Sequence, residues 1–278
     1  MSFDLNCPVC LQPLQGDLKH LECPERHSYD AAKQGYWNLL LANQKRSKDP
    51  GDNAAMVLAR RQFLALGYYQ QLADTIATRL AKRATDLVTP RILDMGCGEG
   101  YYTQRMEQQL ELHASGYQLA GLDISKHAIK AACRQSKAVT WMVASGARMP
   151  VADASLDLMT VLFSRLMPEE FSRTLKPGAE LLIAYPGDDH LIELRTQIYD
   201  EVRHSGFTPE SVLADTFEHL ATETISYQFT LPTPAQIDQL LAMTPHGWRI
   251  TQAARERLAE LQQLELTLDV RLASFRRI

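Results

Sequence analysis

Long hydrophobic runs are missing from this 278-residue chain. No apolar stretch approaches the roughly 20 residues that cross a bilayer. The opening MSFDLNCPVC carries no basic-then-apolar leader pattern. A cytoplasmic protein with no membrane partner is the expectation. Excess positive charge is also missing: the net charge is −4, which argues against a generally basic nucleic-acid binder. The charge is uneven, however. Residues 1–90 hold 11 Lys and Arg against 9 Asp and Glu, whereas the rest hold 18 against 24. Any surface that meets RNA should therefore draw mainly on the N-terminal part and on local patches. Cysteine is scarce, at five residues, yet Cys7, Cys10 and Cys23 crowd the first thirty positions. In a cytoplasmic chain such clustering reads as metal binding rather than disulfides.

The cluster is Cys7-x-x-Cys10 followed by Cys23-x-x-x-His27. Each pair puts two ligands on one tight turn, and the intervening LQPLQGDLKHLE reads as a small hairpin that returns the second pair to the first. Three thiolates and one imidazole close a tetrahedron around Zn²⁺, the structural pattern. His20 competes as fourth ligand; the knuckle spacing from Cys23 favours His27. So short a segment buries little core, so the metal would supply its folding energy.

What the chain does have in density is glycine at one place: Arg91–Thr103 reads RILDMGCGEGYYT. An apolar run ends in Asp94, then Gly96, Gly98 and Gly100 alternate, and a helical pattern begins. The spacing predicts a strand, a tight turn and a helix N-terminus whose amides face a ligand. A second acid, Asp123, ends the next apolar run, LAGLDI, where a carboxylate accepts from a ribose diol. The G-x-G-x-G spacing differs from the dinucleotide-binding G-x-G-x-x-G. The combination resembles motif one of the class I S-adenosylmethionine-dependent methyltransferases. That resemblance places the turn beside the methionine end of the cofactor and Asp123 on its ribose.

Further strands are expected at 119–124, 139–144, 156–163, 180–184, 224–231 and 264–275, alternating with helices over much of that span, with LKPG (175–178) as a turn and Arg276-Arg277 as a solvated tail. Before the glycine stretch, Gln44–Asp52 (QKRSKDPGD) is either a solvated linker or a phosphate contact. Gly67 breaks Ala54–Arg83 into two helices. Tyr69 follows the break, either lidding the cofactor or filling core. Asp188, Asp189 and His190 follow Pro186-Gly187 at a strand's carboxyl end, where open α/β sheets place ligands. All three are candidate general bases, and His190 suits cofactor contact better. Neither N-P-P-Y nor D-P-P-Y is present, and Cys97 is locked in the glycine turn. Adenine-N6 and cytosine-C5 chemistry are thereby disfavoured. Ser145 stands where many relatives place an adenine-binding acid.

The whole series resembles the large-subunit ribosomal RNA guanine-N1 methyltransferases of the RlmA type: the zinc knuckles, KRSKDPGD, ARRQFL, LDMGCGEGYYT, GLDISKHAIKAA, PGDDHLIEL and MTPHGW, in that order. The resemblance covers almost the entire chain, although VLFSRLMPEE lacks the Y-A-P of close relatives. It implies an α/β fold, a Rossmann-like, seven-stranded, mostly parallel sheet with a small N-terminal zinc-binding domain. The implied divisions are 1–42 for the finger, 43–84 for a basic linker and lid helices, and 85–278 for the methyltransferase. The resemblance implies zinc on Cys7, Cys10, Cys23 and His27, and cofactor contacts from Tyr69, Gly98, Glu99 and His190. It also implies a homodimer that grips a 23S rRNA hairpin. Lys45, Arg46, Lys48, Arg60 and Arg61 are then the candidate backbone contacts. The rivals are a small-molecule methyltransferase and a non-catalytic RNA-binding protein.

Overall fold

The computed structural model describes residues 3–45, 47–202, 206–244, 247 and 250–278. Arg46, and His246 and Trp248 of MTPHGW, lie outside them. A three-stranded ribbon comes first: β1 (Gln15–Gly16), β2 (His20–Glu22) and β3 (Ser28–Asp30). Then follow β4 (Tyr36–Asn38), α1 (Ala54–Leu64) and α2 (Gln70–Ala84). The alternating region runs β5 (Arg91–Met95), α3 (Tyr101–His113), β6 (Gln118–Asp123), α4 (Lys126–Ala132), β7 (Thr140–Val143), β8 (Leu156–Leu162), α5 (Pro168–Thr174) and β9 (Leu175–Pro186). Last come α6 (Ile192–Ile198), α7 (Pro209–Leu213), β10 (Phe217–Leu231), α8 (Pro234–Met243), α9 (Gln252–Ala259) and β11 (Leu264–Arg277).

The main sheet has the order β10-β11-β9-β8-β5-β6-β7-β4. Strands β4 to β9 pair in parallel, and β11 and β10 add an antiparallel edge. The chain moves outward from β5 through β6 and β7, then crosses back to β8 on the other side. The reversal lies between β5 and β8, the switch point at which such sheets bind ligands. Strand neighbours alternate between two buried faces. Ile92, Leu119 and Leu158 join one apolar cluster, whereas Leu93, Ala120 and Met159 join the other. Burial on both faces explains why these strands read as continuous apolar runs.

Three expectations are corrected. Among the described residues the sheet has eight strands, one more than the seven expected. The added strand is Tyr36–Asn38, which pairs in parallel with β7. Tyr36 packs into one face and Trp37 into the other, so three residues suffice to cover the edge. The LKPG segment is not a turn but the start of β9, with Gly178 at φ +80° inside it. The Arg276-Arg277 tail belongs to β11, where Arg276 lies opposite both Glu218 and Glu180. The ribbon packs against the second face: Phe3, Leu14 and Leu21 share its cluster with Met149 and Val151. The first face takes α1 to α4, α6, α8 and α9 through residues such as Leu72, Met106 and Ile129.

Candidate functional site

Cys7, Cys10, Cys23 and His27 converge, with all four ligand atoms within 4.8 Å of one another. Two matched turns build the arrangement. Leu11 (φ +63°) donates its amide to Cys7 O at 2.9 Å, and Arg26 (φ +63°) donates to Cys23 O at 2.8 Å. His27 presents Nδ1, 3.3 Å from Cys23 Sγ and 3.6 Å from Cys7 Sγ, while the Cys10 and Cys23 sulfurs are 3.5 Å apart. Ligands at zinc bond lengths in a tetrahedron are separated by about 3.5–3.8 Å, so the donor set fits a structural zinc ion. His20, the alternative ligand, is bound elsewhere: its Nδ1 is 2.8 Å from Asp30. The sequence reading missed Tyr29, whose hydroxyl lies 3.2 Å from Cys7 Sγ and is suited to steady that sulfur from outside the ligand set.

The glycine turn follows β5. The amides of Gly96 and Cys97 both donate to Leu122 O, at 2.8 and 3.1 Å, and tie the turn to β6. All three glycines have positive φ, at +79°, +56° and +85°, but their surroundings differ. A Cβ on Gly96 would meet Ser164 Oγ at 2.3 Å, and one on Gly100 would meet Trp141 at 3.0 Å and Ala132 at 3.1 Å. On Gly98 the nearest atom would be Arg60 Nη1, at 4.0 Å. Gly96 and Gly100 are therefore required by protein packing, and Gly98 alone faces open space. Gly100 also opens α3 without a side-chain cap, leaving the positive helix end over the turn.

The acids divide in the same way. Asp94 is 1% exposed. It accepts from Thr103 Oγ1 at 2.6 Å and Thr160 Oγ1 at 2.8 Å, pinning α3 to β8. Burial raises its pKa to about 6 against the hydroxyl donors. Its carboxylate holds the turn rather than lining the cleft. Asp123 accepts from the Gly98 amide at 3.0 Å and the Ser125 amide at 2.7 Å, which leaves each oxygen a lone pair for a ligand diol. Burial raises its pKa while those two amides lower it. Glu99, 3% exposed, is raised to about 7 by burial, with the Arg60 guanidinium 4.0 Å away pulling it back. A cradle with one open glycine, a diol-accepting acid and a buried carboxylate fits S-adenosylmethionine.

Among the five candidate backbone contacts, Lys45, Arg46, Lys48, Arg60 and Arg61, the expectation for Arg60 is corrected. The Arg60 guanidinium turns inward, ion-paired with Asp52 and facing Glu99. Its side chain is only 28% exposed. The linker lies on the same place. Ser125 Oγ donates to Asp52 O at 2.5 Å, and Asp49 is 3.0 Å from His127 Nε2. Gly51 has φ +81°, and a Cβ there would meet Ile124 and Ser125 at 2.9 Å. The second half of KRSKDPGD thus straps the carboxyl end of β6. Lys45 and Lys48 remain exposed.

Beyond the turn lies a cavity of about 530 Å³, bordered by Arg60, Tyr69, Tyr102, Phe163, Tyr185 and His190. Two hollows of about 670 Å³ lie away from the switch point, both on α2. One is lined by pairs such as Arg79–Glu223 and Arg83–Glu180, whose charges are already satisfied. Tyr69 is in the core cluster, as one of its readings expects, and its hydroxyl lies 3.5 Å from His190 Nε2 at the cavity. His190 Nδ1 accepts from the Asp269 amide at 3.3 Å, so the neutral ring carries its proton on Nε2. Asp188 and Asp189 are exposed and do not border the cavity. Of the three anticipated bases, only His190 reaches it. Among the described residues bordering the cavity there is no carboxylate.

Residues 5–48 match the family model described as RlmA, N-terminal, and residues 92–182 match a methyltransferase domain. A Micromonospora griseorubida protein named "Putative 23S rRNA (guanine-N(1)-)-methyltransferase" is 33% identical, over 99% of this chain and 97% of its own. The 23S rRNA (guanine(748)-N(1))-methyltransferase of Streptomyces fradiae is 32% identical, over 96% of this chain and 94% of its own. A solved Bacillus halodurans structure shares the fold at 13% identity and a TM-score of 0.50, covering 72% of this chain and 97% of that one.

Proposed function

The chain belongs to the 23S rRNA (guanine-N1)-methyltransferases, and from that premise we propose that it transfers a methyl group from S-adenosylmethionine to N1 of a guanine in a 23S rRNA hairpin. The observation that carries the reading is the glycine turn with Gly98 open and Asp123 on its amide, and an apolar cavity at the switch point whose Ser164 lies against Gly96. The cofactor, when bound, supplies an electrophilic methyl group. Asp123 accepts from its ribose hydroxyls. Gly98, Glu99, Tyr69 and His190 face its methionine end, and Asp94, Gly96 and Gly100 hold the turn in shape. The chain's own contribution is then positional. Holding guanine N1 in line with the donor removes much of the entropic part of the barrier. N1 loses its proton as the new bond forms. Cys7, Cys10, Cys23 and His27 carry zinc that has no open position for chemistry.

The finer parts rest on the same premise. The finger and the exposed Lys45 and Lys48 hold RNA phosphate, two copies of the chain grip one hairpin, and the protein works in the cytoplasm. No helix among the described residues is long and apolar enough to cross a membrane. Purified protein with methyl-labelled S-adenosylmethionine and 23S rRNA lacking the modification tests the transfer. Label on guanine N1 is expected. Label on a small-molecule acceptor, with none on RNA, would favour the small-molecule rival.

A further inference from the structure

We propose that Phe163 and His190 form a slot that stacks the target base between their rings. The inference rests on the rRNA reading and names how that substrate is held. The two ring planes are 26° apart, with centroids 6.4 Å apart. That separation is at the far end of direct aromatic pairing. One flat ring needs ~7 Å when carbon contacts of about 3.5 Å are made on both faces, so the two rings part by at least half an ångström to admit a base. Both rings border the cavity of about 530 Å³, as does Ser164, which lies against Gly96 of the glycine turn.

Phe163 has no local reason to be as it is. It follows β8, is 40% exposed, and takes φ +54°, a region that residues with a Cβ resist. A strained and exposed large aromatic gains the fold little, and such outliers gather at ligand clamps. Its aim is fixed from three sides. Ser164 lies against the glycine turn, where a Cβ on Gly96 would meet its Oγ at 2.3 Å. The Phe163 amide donates to Ala184 O at 2.9 Å. Tyr102 stands beside the ring, 6.1 Å between centroids. The facing wall is held just as firmly. Leu191, next to His190, also has a positive φ, +52°, with its amide bound to Thr267 O at 2.8 Å, and the His190 Nδ1 is held by the Asp269 amide. The His190 ring thus turns its Nε2 edge to Tyr69, on the donor side, and a face to the slot. A flat, apolar gap bordered by two oriented rings, parted slightly, takes a base removed from its stack.

The test compares Phe163→Ala and Phe163→Tyr with the wild type. It uses kcat/KM on unmodified 23S rRNA, S-adenosylmethionine Kd by calorimetry, and Tm. Loss of one base–aromatic stack predicts a fall of about 10- to 100-fold in kcat/KM for Phe163→Ala. Cofactor Kd should stay within about twofold and Tm should not fall, while Phe163→Tyr keeps most activity. Unchanged kcat/KM in Phe163→Ala overturns the slot. A cofactor Kd that weakens in step also overturns it, because the rings would then clamp the donor. A wild type that modifies no rRNA overturns the rRNA reading and the slot together; a wild type that does, beside an unaffected Phe163→Ala, overturns the slot alone.

Discussion

Three glycines two residues apart look equivalent in the sequence, yet only one meets open space. Gly100→Ala would press a methyl group into Trp141 and Ala132 at φ +85°. Strain and overpacking of about 1–3 kcal/mol follow, so Tm should drop by several degrees. Gly98→Ala has room among protein atoms and carries only the backbone strain of φ +56°, about 1 kcal/mol, so it should melt above Gly100→Ala, while S-adenosylmethionine affinity falls at least tenfold. Calorimetry and thermal melts separate the two; equal loss of cofactor affinity without a difference in Tm would refute the division. Glu99 gives a pH-dependent prediction. Its folded pKa of about 7 stands above the ordinary 4.5 because burial outweighs Arg60. A raised acid contributes stability that is full below pH 4.5 and lost as pH rises through about 7. Glu99→Gln should remove that slope, whose full size is on the order of 3 kcal/mol. Parallel Tm curves for the two proteins from pH 4.5 to 8 would contradict it. At this scale the sequence showed residue types but not directions. Asp94 and Asp123 both end apolar runs, and only their hydrogen-bond partners separate them: two side-chain hydroxyls for Asp94, two loop amides for Asp123. Arg60 read as a surface cation because its partner Asp52 is eight residues away, beyond helical spacing.

Among the elements, the two metal knuckles were legible because ligand spacing is a local property of the chain. Strands β5, β6 and β8 were equally so, because burial on both faces leaves unbroken apolar runs. Strand β4 was not: its three residues gain their form from the β7 edge, more than a hundred positions away. The length of β10 was hidden for a similar reason. Its first half, Phe217–Glu223, alternates weakly and is held by pairing with the end of β11. The ribbon, β1 to β3, has few apolar residues of its own, so zinc should carry its fold. One zinc per chain is expected by atomic absorption. Chelation should open residues 5–30 to protease while the main sheet survives. Digestion that chelator leaves unchanged would contradict this. Tyr29→Phe, which removes the hydroxyl beside Cys7 Sγ, should weaken zinc affinity about 10-fold or more.

Across the molecule, the linker joins two duties. Lys45 and Lys48 of its basic half are exposed, and its acidic half lies on the carboxyl end of β6. Replacing Lys45 and Lys48 with Glu should weaken rRNA binding and flatten its salt dependence, by roughly one unit of slope for each phosphate that is no longer neutralised. Cofactor affinity should hold. The glycine turn alone would support any methyl acceptor. The choice of rRNA comes from the ribbon, the linker and the full-length relatives. Nucleoside mapping of 23S rRNA from cells lacking this protein tests that choice most directly. The account predicts loss of a single 1-methylguanosine, restored by the wild-type chain. An rRNA profile identical with and without the protein would contradict it.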